Sequence, residues 1–120
     1  PDTAHRIALH CLALQRAALT HDRRARQAET TLADWARANA LSLRAATRTR
    51  HTHAAALRVH LRAAARARHR RNQLLAPLTA THATTRLGLR AKLRVALCFI
   101  DDAPVGALLH SLARDLRRLR

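Results

Sequence analysis

The chain has 120 residues, with 23 Lys and Arg against seven Asp and Glu, and a formal net charge of +16 at pH 7. This length fits one domain, residues 1–120, and so basic a balance favours nucleic acid or another acidic surface as the partner. Aromatic residues make up only 2% of the chain, which argues against RRM-, OB- and cold-shock-like modules, because these stack bases on exposed rings. A GC-rich genome would account for the preference for Arg over Lys, but not for the shortage of acids.

The first part of the chain predicts two helices. Asp2 or Thr3 can cap the first, and the polar residues 20–22 predict a break before the second. The expected buried positions are Ile7, Cys11, Leu14 and Ala18 in the first helix and Ala28, Leu32, Trp35, Ala36, Asn39 and Leu43 in the second. Residues 1–19 are acid-poor and amphipathic, which is typical of an organellar transit segment, although Pro1 would equally follow a removed initiator Met.

The central stretch, residues 51–71, contains no Gly, Pro, Asp or Glu, and its arginines recur every fourth residue on one helical face. The β-branched, polar run 47–52 predicts a break ahead of it, and the helix is expected to end near Leu75 before a linker at 76–85. Like charges at this spacing destabilise an isolated helix by roughly 0.2–0.5 kcal/mol per pair, so we expect a polyanion opposite them. The predicted phosphate contacts are Arg44, Arg48, Arg58, Arg62, Arg66, Arg68, Arg70 and Arg71.

Two further helices are predicted after the linker. The first runs from about Thr85 to Ile100, with an apolar face of Leu89, Leu93, Ala96, Leu97 and Ile100 and a second basic strip of Arg86, Arg90, Lys92 and Arg94. Asp102 as N-cap and Pro104 in the first turn predict the start of the last helix. Its apolar positions form a predicted packing strip, docked on the preceding helix as a hairpin or on another subunit: Val105, Leu108, Leu109, Leu112, Leu116 and Leu119.

Patterns for catalysis and metal binding are weak. The adjacent acids Asp101 and Asp102 suit a helix start better than a catalytic pair, and two glycines cannot build a phosphate-cradling loop. His51 and His53 are two residues apart and diverge on a helix. Cys11 and Cys98 form no CxxC motif, and we expect buried, reduced thiols. The sequence therefore predicts no enzyme, no metal and no cofactor.

Together these patterns predict an all-α protein of four to five amphipathic helices, with a long central basic helix and a C-terminal helical hairpin. Phosphate contact without base reading is typical of structural RNA-binding proteins, and the ribosomal proteins as a class resemble this chain, without a shared motif. The expected function is a ribosomal subunit, organellar (mitochondrial) or cytoplasmic, bound to rRNA and to neighbouring protein subunits, with no membrane. The alternatives are a helical scaffold or coiled-coil subunit of a protein complex, and a DNA-binding nucleoid-type protein.

Overall fold

The computed structural model describes residues 2–99 and 105–119, and over these residues it is all-α, as predicted, without a strand. The helices are α1 (Thr3–Ala38), α2 (Leu43–Ala46), α3 (Thr52–Ala80), α4 (Arg86–Cys98) and α5 (Val105–Arg118). The chain divides into two compact units, unit 1 with residues 1–15 and 69–120 and unit 2 with residues 16–68. The predictions for Ile100, Asp101, Asp102 and Pro104 concern residues that lie outside the described ranges.

A single helix, α1, covers almost all of the first 38 residues, so the predicted break at 20–22 is wrong. Thr20 donates its hydroxyl to the Arg16 carbonyl at 3.0 Å, and the Asp22 carboxylate pairs with Arg68 of α3. Because both polar side chains have partners while the backbone stays helical, neither interrupts the helix. The predicted cap is confirmed at Asp2, whose Oδ1 accepts the His5 backbone N–H at 3.2 Å.

The end of α1 contains the one non-glycine residue of the described chain with a positive φ, Ala40 at 55°. The Leu41 N–H donates to the Ala36 carbonyl at 2.8 Å, which is the closing bond of a Schellman motif. The turn ends the helix before Asn39 and Leu43, which were predicted to be buried and are exposed. The predicted break at 47–52 is confirmed, because α2 ends at Ala46 and α3 begins at Thr52.

Helix α3 continues through Pro77, so the predicted end near Leu75 is wrong and the connection to α4 is shorter, residues 81–85. A proline removes one backbone donor from the helix. The next turns are supported by Thr79 and Thr81, whose hydroxyls donate to the carbonyls of Leu75 and Pro77 at 2.8 and 2.7 Å. The Thr85 hydroxyl then caps α4 by accepting the Gly88 N–H at 3.0 Å.

Each unit has its own core. The core of unit 2 is mostly alanine and draws on α1, α2 and α3: Ala25, Ala28, Leu32, Ala36, Ala46, Ala54 and Leu57. The core of unit 1 joins the start of α1, the end of α3 and the hairpin of α4 and α5: Ala4, Ala8, Cys11, Leu78, Ala83, Ala91, Val95, Ala96, Phe99, Leu108 and Leu112.

The buried faces of α4 and α5 differ from the predicted ones. Leu108 and Leu112 are buried as expected, and α4 and α5 pack against each other as the predicted hairpin. The predicted apolar strips are only partly buried, because Leu93, Leu97, Leu109 and Leu116 are between 45% and 58% exposed. The buried positions on these helices include the polar residues Lys92, Ser111 and Asp115, which hydrogen-bond to one another.

The two cysteines are both free, but only one of them is buried. Cys11 lies in the core of unit 1, as predicted. Cys98 is exposed, so its predicted burial is wrong. In this part of the chain Val95 and Phe99 belong to the core, whereas Cys98 does not.

Candidate nucleic-acid interface

The outward face of α3 in unit 2 contains Arg62 and Arg66, both exposed. Arg66 follows the buried Leu57 by nine residues, which places it about half a turn round the helix, at about 100° per residue. Within the described residues, neither guanidinium has an ion pair or a side-chain hydrogen bond. The predicted phosphate-facing stripe therefore lies opposite the core at these two positions and is free to receive an anion.

The carboxylates of unit 2 do not neutralise the positive charge of this face. Its sequence contains twelve arginines and three carboxylates. Asp22 pairs with Arg68, and Asp34 pairs with Arg37 three residues later in the same helix. Because two of the three carboxylates are occupied by other arginines, Arg62 and Arg66 keep their charge available to an external partner.

Two of the predicted contacts have partners within unit 2. Arg68 pairs with Asp22 and is only partly exposed. Arg58 donates through Nη1 to the carbonyls of Thr47 and Thr49, at 2.5 and 3.2 Å, and so stabilises the turn between α2 and α3. Further predicted contacts are exposed: Arg44 and Arg48 in unit 2, and Arg70, Arg86, Arg90 and Arg94 in unit 1.

Arg71 lies in the core of unit 1, not on the predicted surface stripe. Its side chain is 7% exposed, and its guanidinium carbon lies 4.3 Å from the centre of the Phe99 ring. The guanidinium also donates to the side-chain oxygens of Gln15 and Asn72. Arg71 is therefore a packing residue, because its guanidinium would have to leave Phe99, Gln15 and Asn72 to reach a phosphate.

The second predicted basic strip is wrong at Lys92, because the side chain of Lys92 is fully buried, at 0% exposure. Its ammonium group donates to the Thr81 carbonyl at 2.8 Å, and to the Ser111 hydroxyl and the Asp115 carboxylate at 2.6 Å each. With three acceptors for three N–H donors, the group is satisfied inside unit 1. The exposed part of the predicted strip is therefore Arg86, Arg90 and Arg94.

The carboxylate of Asp115 completes this buried network. It accepts the Ala83 backbone N–H at 3.0 Å, and its other oxygen lies 3.0 Å from His82 Nδ1. Burial alone raises the pKa of this carboxyl, but the hydrogen bonds from Lys92, Ala83 and His82 outweigh burial and hold the pKa below its ordinary value of 3.8. Asp115 is therefore ionised at neutral pH, as the partner of a buried ammonium must be.

The histidines of unit 2 pair with each other and with Trp35. Nδ1 of His21 lies 3.0 Å from Nδ1 of His60, so one ring donates and the other accepts. The rings of Trp35 and His51 stack at 4.3 Å between centroids. Over residues 2–99 and 105–119, no group of three or more His, Cys, Asp or Glu side chains is placed to hold a metal ion.

Helices of the described ranges lack the length and apolar character needed to cross a membrane. No family model, no curated protein and no solved structure matches this chain.

Proposed function

We propose that the chain is a structural RNA-binding protein that contacts the phosphate backbone of folded RNA as a subunit of a ribonucleoprotein such as the ribosome. The observation that carries the proposal is the outward face of α3, where Arg62 and Arg66 are exposed and lack a carboxylate partner among the described residues. Guanidinium groups bind phosphate through two parallel hydrogen bonds, so a row of them suits a phosphate backbone.

The aromatic residues support backbone contact in preference to base reading. The chain has only two, Trp35 and Phe99. Trp35 stacks on His51, and Phe99 is buried beneath Arg71. Since single-stranded RNA readers stack bases on exposed rings, neither residue offers such a platform. We therefore expect similar affinities for unrelated structured RNAs.

A charge-reversal experiment tests the proposal. Arg62→Glu with Arg66→Glu should weaken binding to a structured RNA at least tenfold in a gel-shift titration. Arg23→Glu with Arg24→Glu is the matched control, because these residues are also exposed and lie on α1 in the same unit. Equal losses for the two double variants would contradict the proposed footprint. Tighter binding to duplex DNA than to folded RNA would favour the nucleoid-type alternative instead.

A further inference from the structure

The hairpin of α4 and α5 exposes five leucines: Leu87, at the start of α4 and 61% exposed, and four others that are grouped by helical spacing. Leu93 and Leu97 on α4 are 45% and 58% exposed, and Leu109 and Leu116 on α5 are 50% and 56% exposed. Single exposed leucines are ordinary on protein surfaces, but grouped ones mark contact sites. These four are spaced four residues apart on α4 and seven residues apart on α5, so each pair lies on one side of its helix.

The buried network shows which sides of the two helices face the end of α3. Lys92 of α4 donates to the Thr81 carbonyl, and Ser111 of α5 donates to the Thr79 carbonyl. Lys92 also donates to Ser111, so both residues lie where α4, α5 and the end of α3 meet.

Helical geometry then places the two leucine pairs on the same side of the hairpin. At about 100° per residue, the leucines of α4 are rotated by about 100° and 140° from Lys92, and those of α5 by about 160° and 140° from Ser111. On α4 the buried Gly88 and Phe99, which face Asp2 at the start of α1 and Arg71 of α3, lie about 40° and 20° from Lys92 in the sense opposite to the leucines, so this leucine pair turns away from α1 and α3. On α5 the leucines turn away from Ser111, which donates to the end of α3. We infer that the four leucines line the groove between α4 and α5 on the side that faces away from α1 and α3, here called the hairpin groove.

Cations border the hairpin groove, and no acid is exposed within α4 and α5 themselves. Arg86, Arg90 and Arg94 are exposed on α4. Arg90 and Arg94 each precede an exposed leucine of the groove by about one helical turn. The only acid in the sequences of α4 and α5 is Asp115, which is fully buried. The surface is therefore apolar along its centre and positive along its α4 edge.

We propose that the hairpin groove binds an amphipathic helix of a partner protein, with leucine-like residues on one face and carboxylates beside them. Charge complementarity selects this occupant: a second copy of the chain would bring Arg86, Arg90 and Arg94 against their own equivalents, whereas an acidic helix would pair with them. A groove between two helices also matches the dimensions of a third helix, which lays its apolar face between them. The hairpin groove shares no residue with the α3 face for which the RNA contact is proposed.

A designed peptide tests the proposal on the full chain. The probe is a labelled 21-residue peptide with Leu at heptad positions a and d and Glu at e and g. Two controls accompany it: a scrambled peptide of the same composition, and a version with Lys in place of Glu. Fluorescence anisotropy should show binding of the acidic amphipathic peptide at least tenfold tighter than that of either control. Equal binding of the scrambled peptide would overturn the proposal, because charge alone would then explain the affinity.

Substitutions locate the peptide on the protein. Leu109→Ser with Leu116→Ser should weaken peptide binding at least tenfold, whereas Leu9→Ser with Leu61→Ser, which are similarly exposed on α1 and α3, should change it less than twofold. The Leu109 and Leu116 variant should bind RNA as the wild type does, which separates this proposal from the RNA contact. The proposal fails if both pairs behave alike, if the chain forms a dimer that the Leu109 and Leu116 variant loses, or if vesicles with about 30% anionic lipid bind while the peptide does not.

Discussion

Replacing Lys92 by Met tests the buried network of unit 1. Methionine keeps the approximate length of the side chain but removes the ammonium, which leaves the Asp115 carboxylate at 0% exposure without its cationic partner. Breaking a buried ion pair by removing one partner costs about 3–5 kcal/mol, because the remaining charge is not compensated. We expect a loss of that size in the free energy of unfolding. Because the free energy of unfolding of a native protein is typically about 5–15 kcal/mol, the variant would be only marginally stable.

Urea unfolding followed by circular dichroism measures this loss. Arg90→Met, an exposed position on the same helix, is the control and should change stability by less than about 0.5 kcal/mol. Lys92→Met combined with Asp115→Leu removes both charges and should be more stable than Lys92→Met alone. A loss below about 1 kcal/mol in Lys92→Met, or a double variant less stable than the single one, would refute the reasoning.

The same network predicts a pH dependence. The pKa of Asp115 is lower in the folded chain than its ordinary value of 3.8, so the folded state binds this proton less readily than the unfolded state. Its contribution is therefore present above about pH 4 and is lost as the pH falls through the folded pKa. The stability difference between the wild type and Asp115→Asn should shrink as urea unfolding is repeated below about pH 4. A difference that is constant or grows in acid would contradict the assignment.

Three other predictions concern local structure and reactivity. Ala40→Gly should stabilise the chain by about 0.5–1 kcal/mol in urea unfolding, because glycine adopts the positive φ at this helix end without strain. Gly88→Ala should destabilise the chain, because a Cβ at this position would collide with the Asp2 carboxylate, which accepts hydrogen bonds from the backbone of residues 84 and 85. The loss of stability should be much smaller in an Asp2→Ala background, where this carboxylate is absent. Iodoacetamide should modify exposed Cys98 in the folded chain and Cys11 only in urea, since burial raises the pKa of the Cys11 thiol to about 11.

The helical class and most of the connections could be predicted from the sequence, because these depend on local signals. The Asp2 cap, the break before Thr52 and the Thr85 start of α4 each rest on residues close in the chain. The break expected at 20–22 failed because Asp22 has its partner, Arg68, 46 residues away. Local propensity does not include such a contact.

The candidate site was harder to predict, because charge alone does not show which cations have internal partners. Arg62 and Arg66 lie on the exposed face that the four-residue spacing indicated. Arg71 and Lys92 belong to equally basic stretches but are buried, since Phe99 and Asp115 come from elements later in the chain. The sequence did contain a signal for the burial of Lys92. Asp115 lies on the same helical face as Leu108, Ser111 and Leu112, and a buried acid on an apolar face needs a buried cation as its partner.

The most direct test of the proposed function is the salt dependence of RNA binding. The logarithm of the association constant, measured by anisotropy with one structured RNA, should fall linearly with the logarithm of salt concentration. Each phosphate contact contributes roughly one unit to the slope, so Arg62→Glu with Arg66→Glu should lower the slope by about 2. An unchanged slope in this variant, or wild-type binding that is independent of salt, would contradict phosphate contact by the α3 face.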